Sequence, residues 1–217
     1  MSRTVNNQCS VYGLLCSLLC VISATSNLVY KKFIILQIMP GYALEISSGA
    51  LMYPLTYFLV DIITELYGKE TARKCLIISV LNCISIIFAL QLINFLKATS
   101  WSPVSNDIFH LVFGSSIFSL GASFIAYSFS QNLDILIYVR LKRYLKDHLG
   151  IVSLLSSSLS LLTDTCIVVL LLSLVGIVQF AHTKALIIDS FIFKVVVSSF
   201  FSLFFSNFVR FFRRRIL

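Results

Sequence analysis

Asp61 and Glu65 lie in the run PLTYFLVDIITELYG (residues 54–68), whose other residues are apolar or uncharged. Four residues apart, the two carboxylates share one face of a helix, a single turn from each other. An ionised acid near the centre of a membrane-length helix costs about 2.5–3.5 kcal/mol. Each neighbouring Leu or Ile returns only about 0.3–0.6 kcal/mol. A chain that keeps such a pair uses it on something polar that enters the membrane, which is the chemistry of a transporter rather than of an anchor. The competing reading is a structural ion pair with Lys69 or Arg73, and Glu65, close to the turn at Gly68, is nearer to those bases. Asp164 has no base near it in sequence, and Lys194 is the basic residue placed deep enough in an apolar run to meet it. That pair is either a ligand site or a scaffold. Asp134, six residues before Arg140, is either a site group or half of a salt bridge at a helix end.

The elements that must hold these groups follow from composition. Of the 217 residues, 58% are hydrophobic and 12% charged, about half the charge of a soluble domain, and the mean hydropathy is +0.95. The lipid bilayer is the natural solvent for such a chain. At about 20 residues per crossing, six helices nearly exhaust the length. The reading is one transmembrane domain over 1–217, all-α, with helices at about 11–29, 48–67, 74–96, 108–139, 149–178 and 185–209. The fourth run is longer than one crossing needs. Gly114 and Gly121 are its weak points, so it is either a continuous span or a re-entrant piece followed by one.

Charge orients these spans. Arg3, Lys69, Arg73, Lys74, Arg140, Lys142, Arg143, Lys146, Arg210, Arg213, Arg214 and Arg215 fall on one side. Lys31, Lys32, Lys97 and Lys184 fall on the other, and Lys194 stays inside the sixth helix. The positive-inside rule then makes both termini cytoplasmic. The net charge of +8 reports membrane topology, since a nucleic-acid face would gather these bases on one exposed surface. Residues 3–26 also have the make-up of a signal peptide, but removing them would leave an odd helix count.

Local signals fill in the rest. Ser23-Ala24-Thr25-Ser26-Asn27 ends the first helix in a polar patch. The β-branched residues and the Pro40-Gly41 turn of segment 31–41 predict a short extracellular hairpin, a lid over a site or a plain surface loop. Pro54 is expected to bend the second helix, and Gly68 to cap it before a tight turn at Lys69–Lys74. Cys9, Cys16, Cys20, Cys75, Cys83 and Cys166 show no Cys-x-x-Cys spacing and read as small hydrophobes. His110, His148 and His182 are scattered, so neither a metal site nor a cofactor is expected. No His-Glu-x-x-His, Gly-x-Ser-x-Gly or Walker sequence occurs, which argues against an enzyme.

Residues 54–74, PLTYFLVDIITELYGKETARK, resemble the signature of the queuosine precursor transporter family, a branch of the vitamin-uptake transporters. The resemblance runs over about residues 15–212 and continues in Ser26-Asn27, in Ala122–Tyr127, in Gln131–Asp134, in Leu162–Thr165 and in Asp189–Lys194. Val60 stands where the family often has Thr, and serines precede Asp164 where Asn or Gln is common. The resemblance implies a six-helix fold similar to the substrate-binding subunits of energy-coupling-factor transporters. It also implies import, across a bacterial inner membrane, of 7-deazaguanine bases (7-cyano-7-deazaguanine, 7-aminomethyl-7-deazaguanine or queuine) for tRNA modification. The alternative is a capture subunit that needs a separate ATP-driven module. Such a base presents N1–H and an amine as adjacent donors and O6 as acceptor. A carboxylate can take both donors, a Lys, Asn or backbone N–H can serve O6, and a Tyr can stack on the ring. Asp61, Glu65, Asp164, Lys194, Asn27, Asn132, Asp134 and Tyr57 are the candidate set, with Tyr57 and Asn27 also readable as packing and capping residues.

Overall fold

The computed structural model describes residues 2–30, 32–39, 42–113, 117–174, 176 and 179–216. Long helices dominate: α1 (Ser2–Val29), α2 (Tyr53–Tyr67), α3 (Lys69–Asn94), α5 (Ile117–Lys142), α6 (Leu149–Leu174) and α7 (Phe180–Ile216). Between α1 and α2 stand two antiparallel strands, β1 (Phe33–Met39) and β2 (Tyr42–Ser47), followed by a 3-10 turn at Ser48–Leu51. A short helix, α4 (Asn106–Phe113), precedes α5. The expected hairpin is therefore present, although Lys31 and its Pro40-Gly41 turn lie outside the described residues.

Among the described residues, five segments are long and apolar enough to cross a membrane: Gln8–Val29, Ser48–Tyr67, Lys69–Asn94, Leu149–Leu174 and Thr183–Arg214. The 26 residues of α5 rise about 39 Å, more than a hydrocarbon core of about 30 Å. What sets α5 apart is the polar run Ser128-Phe129-Ser130-Gln131-Asn132-Leu133-Asp134, which lowers its hydropathy. Within the expected fourth run, α4 and α5 are described up to Phe113 and from Ile117, residues 114–116 with Gly114 lie outside the described residues, and Gly121 lies unbroken inside α5.

At the centre stands α2, packed against α1, α3, α5, α6 and α7. Ten of its 15 residues are buried, which is why its sequence is apolar on every side rather than on one stripe. Phe58 anchors it to α7, stacking on Phe201 at 5.1 Å and meeting Phe205 and Phe208 edge-on at 5.8 and 5.4 Å. On the opposite flank, Leu15 and Leu19 of α1 are fully buried in the same core.

Two expectations about α2 are corrected. Pro54 does not bend it, because the helix begins at Tyr53 and Pro54 occupies the first turn, where its missing N–H has no helical acceptor to lose. Nor do Lys69–Lys74 form the turn, since α3 already starts at Lys69. Gly68 alone reverses the chain: at φ +83° its N–H donates to Thr64 O at 3.0 Å, and its carbonyl accepts from Ala72 N at 3.1 Å. Only glycine takes that φ without strain.

One end of the bundle collects the basic helix termini. Glu65 of α2 bonds Lys142 of α5 and Arg213 of α7 at 2.5 and 3.1 Å. Tyr67 O–H donates to Gln8 O of α1 at 3.1 Å. These contacts gather at one end several of the termini that the charge split assigns to one side. The hairpin and α4 belong to the other end.

Candidate functional site

At the hairpin end the helices enclose a cavity of about 510 Å³. Its wall takes Asn27 from α1, Phe33 and Ser47 from the hairpin, Tyr53 from α2, Ser123 from α5, Asp164 and Thr165 from α6, and Ser190 and Lys194 from α7. Strand β2 packs against α7, with Leu44 and Ile46 fully buried. The 3-10 turn is held by Ser26 Oγ donating to Gly49 O at 2.7 Å. A Cβ on Gly49 would stand 2.6 Å from Ser26 O, so the close approach of turn and α1 requires glycine at that wall position.

The charged floor of the cavity is an ion pair. Lys194 Nζ donates to Asp164 Oδ2 at 2.8 Å and to Thr165 Oγ1 at 2.9 Å. The same ammonium lies 4.9 Å from the Tyr53 ring centroid. Both charged side chains are nearly buried, at 5% and 2% exposure. Asp164 Oδ1 is met by Ser130 Oγ at 3.4 Å, and Ser130 in turn accepts from Tyr57 O–H at 2.7 Å. The expected pairing of Asp164 with Lys194 is present. Because the pair also borders the cavity, the ligand-site and scaffold readings are compatible.

Of the eight candidate residues, Asn27, Asp164 and Lys194 stand on the cavity wall, and the other five stand elsewhere. Asp61 is fully buried, its Oδ2 accepting from Ser153 Oγ at 2.5 Å and Ser157 Oγ at 3.2 Å. Its alternative pairing with Lys69 or Arg73 is not formed, and Arg73 reaches Glu70 instead at 3.6 Å. Asp134, also fully buried, lies beside Asp61, one turn on from the Tyr57–Ser130 contact and one turn before the Glu65–Tyr138 contact between the same two helices. Its alternative salt bridge to Arg140 is absent among the described residues, because Asp134 faces inward and Arg140 lies one and a half turns on, at the basic end of α5. Glu65 belongs to the ion cluster at the far end of α2, with Tyr138 O–H as a third donor at 3.1 Å. Asn132 Nδ2 donates to Ser128 O of its own helix at 2.8 Å. Tyr57 is buried behind the cavity floor.

Tyr53 is the site residue that sequence reasoning passed over. It lies one turn before Tyr57, and its position on the wall depends on α2 starting at residue 53 rather than 48. The serines of α6 were legible only as a composition; Ser153, Ser156, Ser157 and Ser160 are all buried, on the side facing Asp61 and Asp134.

A polytopic helical bundle with a buried charge pair at the floor of a cavity has the build of a small-solute membrane transporter. The family model described as "Putative vitamin uptake transporter" matches residues 47–208, well over half of the chain, and the protein belongs to that family. It is 28% identical over 102 residues to a "Probable queuosine precursor transporter" of Bacillus subtilis (strain 168). That match spans 47% of this chain and 44% of the relative, less than half the length of either. No solved structure matches the chain.

Proposed function

We propose that the protein imports a queuosine precursor, a 7-deazaguanine base, across a bacterial inner membrane, with six crossings and both termini cytoplasmic. The observation that carries this reading is the Asp164–Lys194 pair on the wall of a cavity of about 510 Å³, inside the usual range of about 300–1,000 Å³ for small-molecule sites. Asp164 offers a carboxylate to the adjacent N1–H and amine donors of the base. Lys194 has donors for O6, and Tyr53 supplies a ring for stacking. In this reading the hairpin end of the cavity is the outer one. The 28% identity to the Bacillus relative supports the same substrate class.

The sixth crossing in this reading is α5, whose polar run faces the protein interior with Ser130, Gln131 and Asp134 fully buried. A polar span is tolerated where neighbouring helices cover it.

The test is uptake of labelled 7-deazaguanine bases by the purified chain in liposomes. Accumulation by this chain alone supports the transporter. Binding without movement identifies a capture subunit that needs an ATP-driven partner. Neither binding nor movement refutes the substrate class.

A further inference from the structure

The cavity leaves the most deeply buried charges unused. Asp61 lies eight residues beyond Tyr53 along α2, about 12 Å deeper, and faces Asp134 of α5 between the Tyr57–Ser130 and Glu65–Tyr138 contacts of the same helices. Neither residue is exposed at all. Among the described residues no Lys or Arg pairs with either: Lys194 is engaged by Asp164, and Lys142 and Arg213 by Glu65. Asp61 Oδ1 and both carboxylate oxygens of Asp134 accept no hydrogen bond. Gln131 Oε1 and Ser160 Oγ, fully buried on α5 and α6, are also unpartnered, and Ser160 stands beside Asp134.

Two ionised carboxylates buried side by side repel each other, and no Lys or Arg among the described residues offsets that repulsion. One proton resolves it: the protonated acid becomes a donor and the other oxygen its acceptor. We propose that Asp61 and Asp134 share one proton and form the site through which the protein couples solute uptake to a proton gradient. This rests on the transport reading above. The step balances simply. A second proton entering from the outer side forms one further O–H bond and takes the pair from one negative charge to none, and that bond breaks when the proton leaves toward the cytoplasm, the shared proton staying behind.

Two hydroxyls, of Ser130 and Tyr57, lie between this pair and the cavity floor. Asp164 Oδ1 meets Ser130 Oγ, Ser130 meets Tyr57 O–H, and Tyr57 lies close enough to sense the charge of Asp134. Other groups facing the pair are few. From α2 comes Glu65, neutralised by Lys142 and Arg213; from α5 come Gln131 and Tyr138; from α6 come the serine hydroxyls and Asp164, neutralised by Lys194 of α7. Nothing in this set supplies the missing counter-charge.

The test uses the full chain reconstituted in liposomes. Infrared spectra at neutral pH should show the C=O stretch of a protonated carboxylic acid that shifts in heavy water. That band should be absent from the Asp61→Asn/Asp134→Asn double variant. An outside-acid gradient of one pH unit should raise accumulation of labelled 7-cyano-7-deazaguanine up to about tenfold, for one proton per solute. Asp134→Asn should keep exchange of labelled against unlabelled base and lose the gradient response. The proposal is overturned by a wild-type spectrum without the band, by a gradient response unchanged in Asp134→Asn, or by a response to sodium instead of protons. If wild-type protein neither binds nor exchanges the base, the substrate reading has failed, and the carboxyl band alone decides whether the proton is shared.

Discussion

Removing one charge from the Asp164–Lys194 pair should harm the fold more than removing both. The contact is 2.8 Å long, with side-chain exposures of 5% and 2%, so little solvent is available to take over from a deleted partner. Stripping one partner from a buried pair costs about 3–5 kcal/mol, whereas an apolar replacement of both is often near neutral. At about 2–4 °C per kcal/mol for a chain of this size, Lys194→Met and Asp164→Leu should each lower the melting temperature by about 6–20 °C. The double variant should recover part of that loss, leaving a coupling of about 2 kcal/mol or more. Recovery is only partial because Lys194 also donates to Thr165 and sits 4.9 Å from the Tyr53 ring centroid. The measurement is thermal unfolding of detergent-purified protein for all four members of the cycle, at matched expression. A coupling indistinguishable from zero would mean the two charges do not meet. Asp164 would then need another partner, and the donor–acceptor pattern assigned to the cavity floor would fall with the pair.

Asp61→Asn should insert at wild-type levels and abolish net uptake in the liposome assay, and normal accumulation would remove Asp61 from the transport path. Glu65→Gln should lower the melting temperature but leave binding of the base intact, because its partners Lys142 and Arg213 lie at the far end of α2 from the cavity; a loss of affinity measured by calorimetry would contradict that separation. Gly49→Ala should weaken binding and destabilise the protein, since the new Cβ would stand 2.6 Å from Ser26 O; unchanged affinity would show that the turn yields without moving the wall. Cysteines placed at Trp101 and His182 should react with a membrane-impermeant thiol reagent from outside intact cells, and labelling from the cytoplasmic side only would invert the topology.

Hydropathy and charge carried the fold class because a bilayer imposes one rule on every span: the backbone must satisfy itself as helix. The same rule hides α5. A helix walled in by its neighbours can carry Ser130, Gln131 and Asp134 on its inner face, so its hydropathy falls although its length suffices. Helix starts were misread where a 3-10 turn precedes Tyr53, since periodicity does not distinguish one tight turn from the first turn of α2. Pro54 was the available signal, being at home in a first turn.

The four-residue spacing of Asp61 and Glu65 correctly puts both on one face of α2, yet that face runs through two environments. Glu65, at the basic end, meets Lys142 of α5 and Arg213 of α7, two bases that no reading of nearby sequence could supply. Asp61, one turn deeper, meets the serines of α6 and the acid of α5. Spacing fixes direction around a helix, whereas chemistry depends on what the neighbouring helices bring to each depth. The opposite case is Asp164 and Lys194, which do pair. Deep in apolar helices an isolated charge has few possible partners, so scarcity itself identified the pair. The same scarcity argument, applied to Asp61 and Asp134, yields no base among the described residues, and that is the ground for proposing a proton as their counter-charge.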